Sequence, residues 1–495
     1  MFNLAKILLP NFIIKHCIAD KNKKIRFYNI VNIYIWILIW HIVVLGVSYI
    51  SLDKCTNVFH DHTTDNNNLY CTVFDFFIYV FVGIIGILIL SNVVSSIIFY
   101  HFNKYKKNVK QVEDNEVEIN DNVFVLATLY KESKEDIEQM INSLADDDYK
   151  NLCVMLVLDG EYCVDILFNE IFSIDPNILQ YSVNLDGNDV KYVLHISKGT
   201  KYLIVVKSVN QGKKHSQCIF YDMININHNP QEYMTHPLIP FVKYLNQRLD
   251  INSYKYVLLL DGDTIIENNK TIEKMVHIMN TYPNFMAICG TTHVLNKNTN
   301  LITMSQTFEY FTSHLLLKLY ETIIFNTLVM SGCFSMLRLR TDHGVLINEP
   351  ILEEYNKIPT NLVEDNLIKF GEDRYLTSIL INTYADYKIK YIPEINCYTD
   401  VPVTIKNLVL QRQRWTNSLL ACHIYLLKSK FISLKLYFLI FIELAVILIL
   451  PLLIVVGITN FIMAITIQGF SFLPVIITSN IVLLNLYIVI LTGNI

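Results

Sequence analysis

KYVLLLDGDT, residues 255–264, runs from an apolar stretch of strand length straight into Asp261-Gly262-Asp263. A short apolar run that stops at turn residues reads as a strand covered on both faces. Runs of the same kind occur at NVFVLA (122–127), LCVMLVL (152–158) and KYLIVV (201–206), with helix-like KEDIEQMINSLA between the first two. This alternation predicts an α/β domain with a mostly parallel sheet. Ligands of such sheets bind beyond the carboxyl ends of the strands. The residues there are Thr128, Tyr130 and Glu132 after the first run, Asp159 after the second, and Asp261 and Asp263 after the fourth. Two carboxylates one residue apart on extended chain can address one hard cation, magnesium or manganese, and leave positions open for phosphate oxygens. Asp159 alone also reads as ordinary turn chemistry.

Three further stretches carry chemistry. After the third run, NQGKKHSQ (210–217) sets Gly212 beside Lys213 and Lys214. It can cradle a diphosphate, reads equally as a solvated basic turn, and lacks the spacing of a P-loop. Of two Glu-Asp pairs, Glu364-Asp365 reads as a solvated surface pair. Glu372-Asp373 follows Gly371 and opens a helix through RYL, whose positive end would keep a carboxylate ionised. Asp373 is therefore the candidate general base. In QRQRW (411–415), Gln411 and Trp415 lie one turn apart on one helix face, Arg414 can reach an anionic diphosphate, and Trp415 can stack on a sugar ring. Trp and Arg beside an apolar run also serve as interfacial anchors.

Composition sets the surroundings. The chain has 495 residues, a net charge of −5 and 52% hydrophobic residues, which excludes disorder and disfavours nucleic acid as a partner. It has 10 cysteines without CxxC spacing, which reads as mostly reduced core thiols. Residues 28–50 and 74–100 are long enough and apolar enough to span a bilayer. Basic residues precede the first run and follow the second, which puts both flanks in the cytosol. The expected organisation is a basic cytosolic segment (1–27), a span (28–50), an extracytoplasmic loop (51–73) bracketed by Cys55 and Cys71, a second span (74–100), and a basic linker (101–121). A cytosolic catalytic domain with interfacial helices (122–430) follows, and then two or three C-terminal spans (431–495). Glu443, isolated in that last apolar run, reads either as facing an exit path or as hydrogen-bonded within the bundle.

In chain order, TLYKE, LDG, GKKHSQ, DGD, QTFEYFTSH (306–314), SGCFS (331–335), GEDRYL (371–376) and QRQRWTNS (411–418) resemble the processive membrane glycosyltransferases of the family-two type, and among them most closely the chitin synthases. The resemblance covers residues 122–425. It implies a GT-A type fold and inverting transfer of N-acetylglucosamine from UDP-GlcNAc to the 4-hydroxyl of a growing β-1,4 chitin chain of the cell-wall type. The export path would lie through a multi-pass, plasma-membrane protein in contact with lipid, and a homo-oligomer is left open. By the same resemblance Thr128, Tyr130, Glu132 and Asp159 hold the uridine side of the donor, and Lys213, Asp261 and Arg414 meet the diphosphate. Asp261 and Asp263 hold the metal, and Asp373 takes the acceptor proton. Glu372, Gln411, Trp415 and Cys333 shape the acceptor side. Gly262 stands where alanine is usual, and the Trp-Gly-Thr element of many relatives does not appear after residue 418, which implies a compact or truncated form. Hyaluronan or cellulose type synthases, and a non-catalytic membrane scaffold or transporter, are the alternative readings.

Overall fold

Alternate residues of one strand, Phe124 and Leu126 against Val123, Val125, Ala127 and Leu129, belong to two separate hydrophobic cores. A strand sends successive side chains to opposite faces, so a sheet with apolar material on both sides must be covered on both. In a computed structural model of the chain, the residues described are 120–147, 149–175, 178, 181–185, 187–267, 270–324, 326–360, 364–365, 368, 371–429, 433–434, 436–437, 439–441 and 443–444. The two expected N-terminal spans, the Cys55–Cys71 loop, the basic linker and the C-terminal run beyond 444 lie outside them. Among the described residues no helix is long and apolar enough to cross a membrane.

The first strands are β1 (Asn122–Leu129), β2 (Leu152–Asp159), β3 (Tyr181–Leu185), β4 (Asn188–Ser197), β5 (Thr200–Lys207) and β6 (Tyr254–Asp261). They are followed by β7 (Ile265–Ile266), β8 (Phe285–Val294), β9 (Phe334–Arg338) and β12 (Lys388–Thr399), and a separate small hairpin holds β10 (Arg340–Thr341) and β11 (Gly344–Val345). The ten-stranded sheet runs β3-β4-β5-β2-β1-β6-β9-β8-β12-β7. Its four middle strands β5, β2, β1 and β6 are the four apolar runs found in the sequence, and all are parallel. The flanks differ from expectation: β3, β4, β7 and β9 join antiparallel, so the sheet is mixed. Short hairpin returns make the β3–β4–β5 pairings, β9 and β7 pair across long connections, and apolar runs alone do not specify strand direction.

Helices fill both layers. On one side lie α1 (Lys134–Asp146) and α4 (Thr271–Thr281). Ser133 starts α1 with a capping box, in which its hydroxyl accepts from the Asp136 amide at 3.2 Å and its amide donates to the Asp136 carboxylate at 3.1 Å. On the other side lie α2 (Gly212–His228), α3 (Ile239–Asn246), α7 (Glu349–Asn356), α8 (Glu372–Thr383) and the end of α9 (Ile405–Leu427). Two further helices, α5 (Leu301–Phe311) and α6 (Leu319–Ile324), separate β8 from β9.

The strand order places the site. The chain leaves β1 for β2 on one side and later returns to β6 on the other, and such a switch opens a crevice at the carboxyl ends of the two strands. The β1/β6 register sets Thr128 beside Asp261 at that crevice. Antiparallel β9 then delivers the end of SGCFS to the same place, where the Asp261 amide donates to the Cys333 carbonyl at 3.3 Å.

Candidate active site

Lys213 is the hub. NQGKKHSQ reads in the sequence as a cradle or a basic turn, but Gly212 is the first residue of α2, so Lys213 sits in its first turn, where Gln211 adds no side-chain cap and the Gly212 amide donates to Asn210 Oδ1 at 2.9 Å. Its ammonium donates to the Asp261 carboxylate and, at 2.7 Å, to the Gly332 carbonyl, with the Glu372 carboxylate at 4.0 Å. One cation thus joins four motifs that the chain spreads from residue 213 to residue 372. Burial works against its charge, but Asp261 and then Glu372 outweigh that and raise its pKa. Lys214 departs from the expected two-lysine cradle. It turns away, donating to the Tyr355 carbonyl at 2.8 Å with its ammonium 5.4 Å from the Tyr355 ring centre.

Carboxylates crowd the crevice. Burial, then the charges of Asp261 and Glu132, push Asp263 up to about 7. Burial raises Glu132 as well, against the Tyr130 amide that donates to it and with Asp261 adding to the rise. Gly262 permits this crowding, because a Cβ there would lie 2.5 Å from a Leu129 methyl and 3.0 Å from Glu132 Cγ. Among the described residues no three His, Cys, Asp or Glu side chains form a ready-made metal cage. Asp261 and Asp263 are acidic oxygen donors, and both are partly exposed.

Asp373 occupies the first turn of α8 as expected, and its Oδ1 accepts from the Arg374 amide at 2.8 Å. SGCFS lies against it, for a Cβ on Gly332 would sit 3.2 Å from Asp373 Cβ and 3.3 Å from Oδ2. Glu372 is raised by burial and by Asp373, against Lys213. The other pair, Glu364-Asp365, stands apart: Glu364 accepts from the Thr360 amide at 2.8 Å and from Lys357 at 3.2 Å.

α9 closes the assembly. Gly371 makes this possible, because a Cβ there would overlap Ser418 at 2.5 Å, and Arg374 Nη1 donates to the Ser418 hydroxyl at 2.8 Å. Gln411, Arg414, Trp415 and Ser418 fall on one helix face by their spacing. Trp415 is half-buried, with the Arg412 guanidinium 4.2 Å over its ring, Arg374 at 6.0 Å and Tyr310 at 6.3 Å. Arg412 is held by Glu309 at 2.7 Å and Gln306 at 3.3 Å, which ties QTFEYFTSH to QRQRW. Gln411 accepts from Arg412. Arg414 is exposed and makes no hydrogen bond or ion pair among the described residues.

Just past β1, Tyr130 meets Tyr162 edge-on at 5.5 Å, with the Lys131 ammonium over both rings. Asp159 is inward. The β2/β5 register sets it beside Lys207, the two form a fully buried pair at 2.5 Å, and the same oxygen accepts from the Gln211 amide at 3.0 Å. Here it anchors the turn that leads to Lys213. Cys333 is half-exposed, and its thiol and that of Cys397 each meet the Thr292 hydroxyl at 3.6 Å.

Sequence reasoning missed Lys207, Arg374, Arg412 and Ser418. Lys207 had a signal, a lysine closing an apolar run next to a strand that ends in aspartate. The other three lie inside quoted motifs, where the packing of α8 on α9 assigns Arg374 and Ser418 their work and the contact of α5 with α9 assigns Arg412 its own.

A family model described as chitin synthase matches residues 180–494. Chitin synthase 5 of Cryptococcus neoformans var. grubii is 30% identical over 331 residues, which cover 58% of this chain and 17% of that protein. Chitin synthase 7 of Mycosarcoma maydis is 28% identical over 343 residues, 60% of this chain and 27% of that protein. Chitin synthase Vb of Fusarium oxysporum f. sp. lycopersici is 31% identical over 276 residues, 54% of this chain and 15% of that protein. The chain thus spans between 15% and 27% of the length of these three relatives.

Proposed function

The chain belongs to the chitin synthase family, and from that premise we propose that it transfers N-acetylglucosamine from UDP-GlcNAc, with inversion, to the 4-hydroxyl of a growing β-1,4 chain. The observation that carries the reading is the Lys213 hub, which brings Asp261, Gly332 and Glu372 within one salt-bridge radius beside Asp373. The mixed sheet with its crevice between β1 and β6 supports a GT-A assignment.

The residues divide the work. Tyr130, Tyr162 and Glu132 border the uridine side, with Thr128 next to Asp261. Lys213 and the first turn of α2, whose N-cap Gln211 adds no side-chain cap, face the diphosphate, where backbone amides and an ammonium both favour anions. Leaving Asp261 for phosphate oxygens costs Lys213 little charge neutralisation, since one anion replaces another. Three acidic side chains press together in this crevice, and Asp263 is held up to about 7 by burial first and by that repulsion second, so the donor set fits a hard cation on Asp261 and Asp263. Magnesium or manganese, which favours one or two carboxylates plus substrate phosphates, would supply charge to the departing UDP. Asp373 takes the proton of the acceptor hydroxyl. Trp415 offers a ring edge to the acceptor sugar, and Gln411 and Arg414 border the junction between leaving group and acceptor. Cys333 and Glu372 line the floor. No covalent nucleophile is needed.

Residues 28–50, 74–100 and 431–495 are the proposed membrane spans, which would put the catalytic domain in the cytosol and give a polar product its way out. The test is radiolabelled UDP-GlcNAc given to the purified full chain with magnesium or manganese. Polymer that chitinase digests, and that vanishes in Asp373→Asn, is expected. A chitinase-resistant product, or unchanged turnover in Asp373→Asn, would overturn the reading.

A further inference from the structure

Glu443 is the acid that the sequence leaves isolated in an apolar run, and it does have a partner. Its Oε2 lies 2.6 Å from His423 Nε2, on the helix that carries QRQRW. The imidazole is 2% exposed, and its other nitrogen, Nδ1, lies 2.7 Å from the Leu419 carbonyl. A carbonyl only accepts, so Nδ1 must carry a proton. The short Nε2···Oε2 contact then needs one proton of its own, or two lone pairs would face each other. The pair is therefore joined through a single shared proton, whichever atom holds it.

Around it both segments contribute apolar side chains, and the buried carboxylate of Glu321 lies near enough for the charge of Glu443 to add to the rise that burial gives it. Ala421, Cys422 and Leu426 of α9 and Leu436, Leu439 and Ile440 of the following segment enter one core. Apolar packing of this kind tolerates sliding, whereas a hydrogen bond is directional and short. A polar pair inside an apolar helix contact tends to cost stability and to specify register. The cost is visible, because Glu443 Oε1 is buried without a hydrogen bond. Trp415 precedes His423 by eight residues, about 12 Å along a rigid helix, so a fixed His423 fixes the height of Trp415, Arg414 and Gln411.

We propose that His423 and Glu443 are positioning residues of the transfer reaction: their hydrogen bond locks the axial register of α9, and with it QRQRW, against the segment that begins the C-terminal apolar run. This rests on the transferase reading above. The test uses the full chain in lipid or detergent with UDP-GlcNAc. Glu443→Leu should lower kcat by about tenfold to hundredfold, the cost of a small misplacement, with KM for UDP-GlcNAc within about twofold. Glu443→Gln should hold kcat within about threefold of the parent, because its amide can donate to Nε2 of an imidazole protonated at Nδ1. Should Glu443→Leu fold poorly, the double variant His423→Leu/Glu443→Leu makes the contact wholly apolar and must show the same kcat loss with an undiminished melting temperature. Parent-like kcat in either leucine variant, a Glu443→Gln enzyme as slow as Glu443→Leu, or a KM that moves as far as kcat would overturn the inference. A parent chain that forms no polymer would instead overturn the transferase reading, and this inference with it.

Discussion

Gly371→Ala is the substitution that most sharply probes the joint between the base-bearing helix and the acceptor helix. Its Cβ would stand 2.5 Å from Ser418 Cβ and 2.7 Å from Ser418 Oγ. Carbon atoms rest at about 3.5–4.0 Å, so α8 and α9 must part by on the order of 1 Å. Both contacts are next to backbone on packed helices, so neither can rotate away cheaply. Overpacking of this size costs about 1–3 kcal/mol of stability, which a folded domain survives. The catalytic cost is larger, since a shift near 1 Å at a reacting junction lowers rate by about 10²-fold. Donor binding lies on the far side of Lys213 and should change little. The assay is steady-state polymer synthesis from labelled UDP-GlcNAc beside calorimetric binding of UDP. Adding Ser418→Gly removes both clashing atoms, and the double variant should turn over faster than Gly371→Ala, short of the parent because the Arg374 hydrogen bond is gone. Parent-like kcat in Gly371→Ala would refute the close packing of α8 on α9. A double variant no better than Gly371→Ala would refute the steric cause.

Three other outcomes follow from the same geometry. Lys213→Met should weaken UDP binding by about tenfold or more, the worth of a hydrogen bond to a charged group, and calorimetric affinity equal to the parent's would remove Lys213 from the diphosphate site. Asp159→Ala strands a buried ammonium and should lower unfolding free energy by about 3–5 kcal/mol, whereas Asp159→Ala/Lys207→Met should lose less; denaturant titration checks both, and equal losses would refute the pairing. Asp263, held up to about 7, must shed its proton to bind a cation, so manganese affinity should fall by about tenfold per pH unit below that value. The same rise means that its charge detracts from stability increasingly as pH climbs from the ordinary carboxylate range through about 7. Manganese affinity independent of pH between 5 and 8 would contradict the crowding.

The parallel heart of the sheet was legible because β1, β2, β5 and β6 are buried on both faces and so read as continuous apolar runs. The antiparallel flanks were not, since β3 and β4 alternate buried and exposed residues, β9 is buried on both faces as the parallel strands are, and neither pattern gives strand direction. Asp261, Asp263, Lys213 and Asp373 were found as residues following strands or opening helices, and the structure gathers Lys213 with Asp261 and Glu372. Legibility ends where a role depends on a neighbour far along the chain. Asp159 pairs inward because Lys207 sits beside it in register, and Lys214 turns from the crevice because Tyr355 covers α2. Gly371, Gly332 and Ser418 matter through the space they leave or fill, which composition does not record. The choice of Arg412 over Arg414 as the stacking partner of Trp415 was equally hidden, because it depends on Glu309 and Gln306 of α5.

The most direct measurement is an experimental structure of the full chain with UDP and manganese, located by its anomalous signal. The account predicts one manganese peak between Asp261, Asp263 and the diphosphate, Lys213 turned from Asp261 to phosphate, and Asp373 and Trp415 bordering the same cavity. A nucleotide bound away from the β1/β6 crevice, or a manganese peak remote from Asp261 and Asp263, would contradict it.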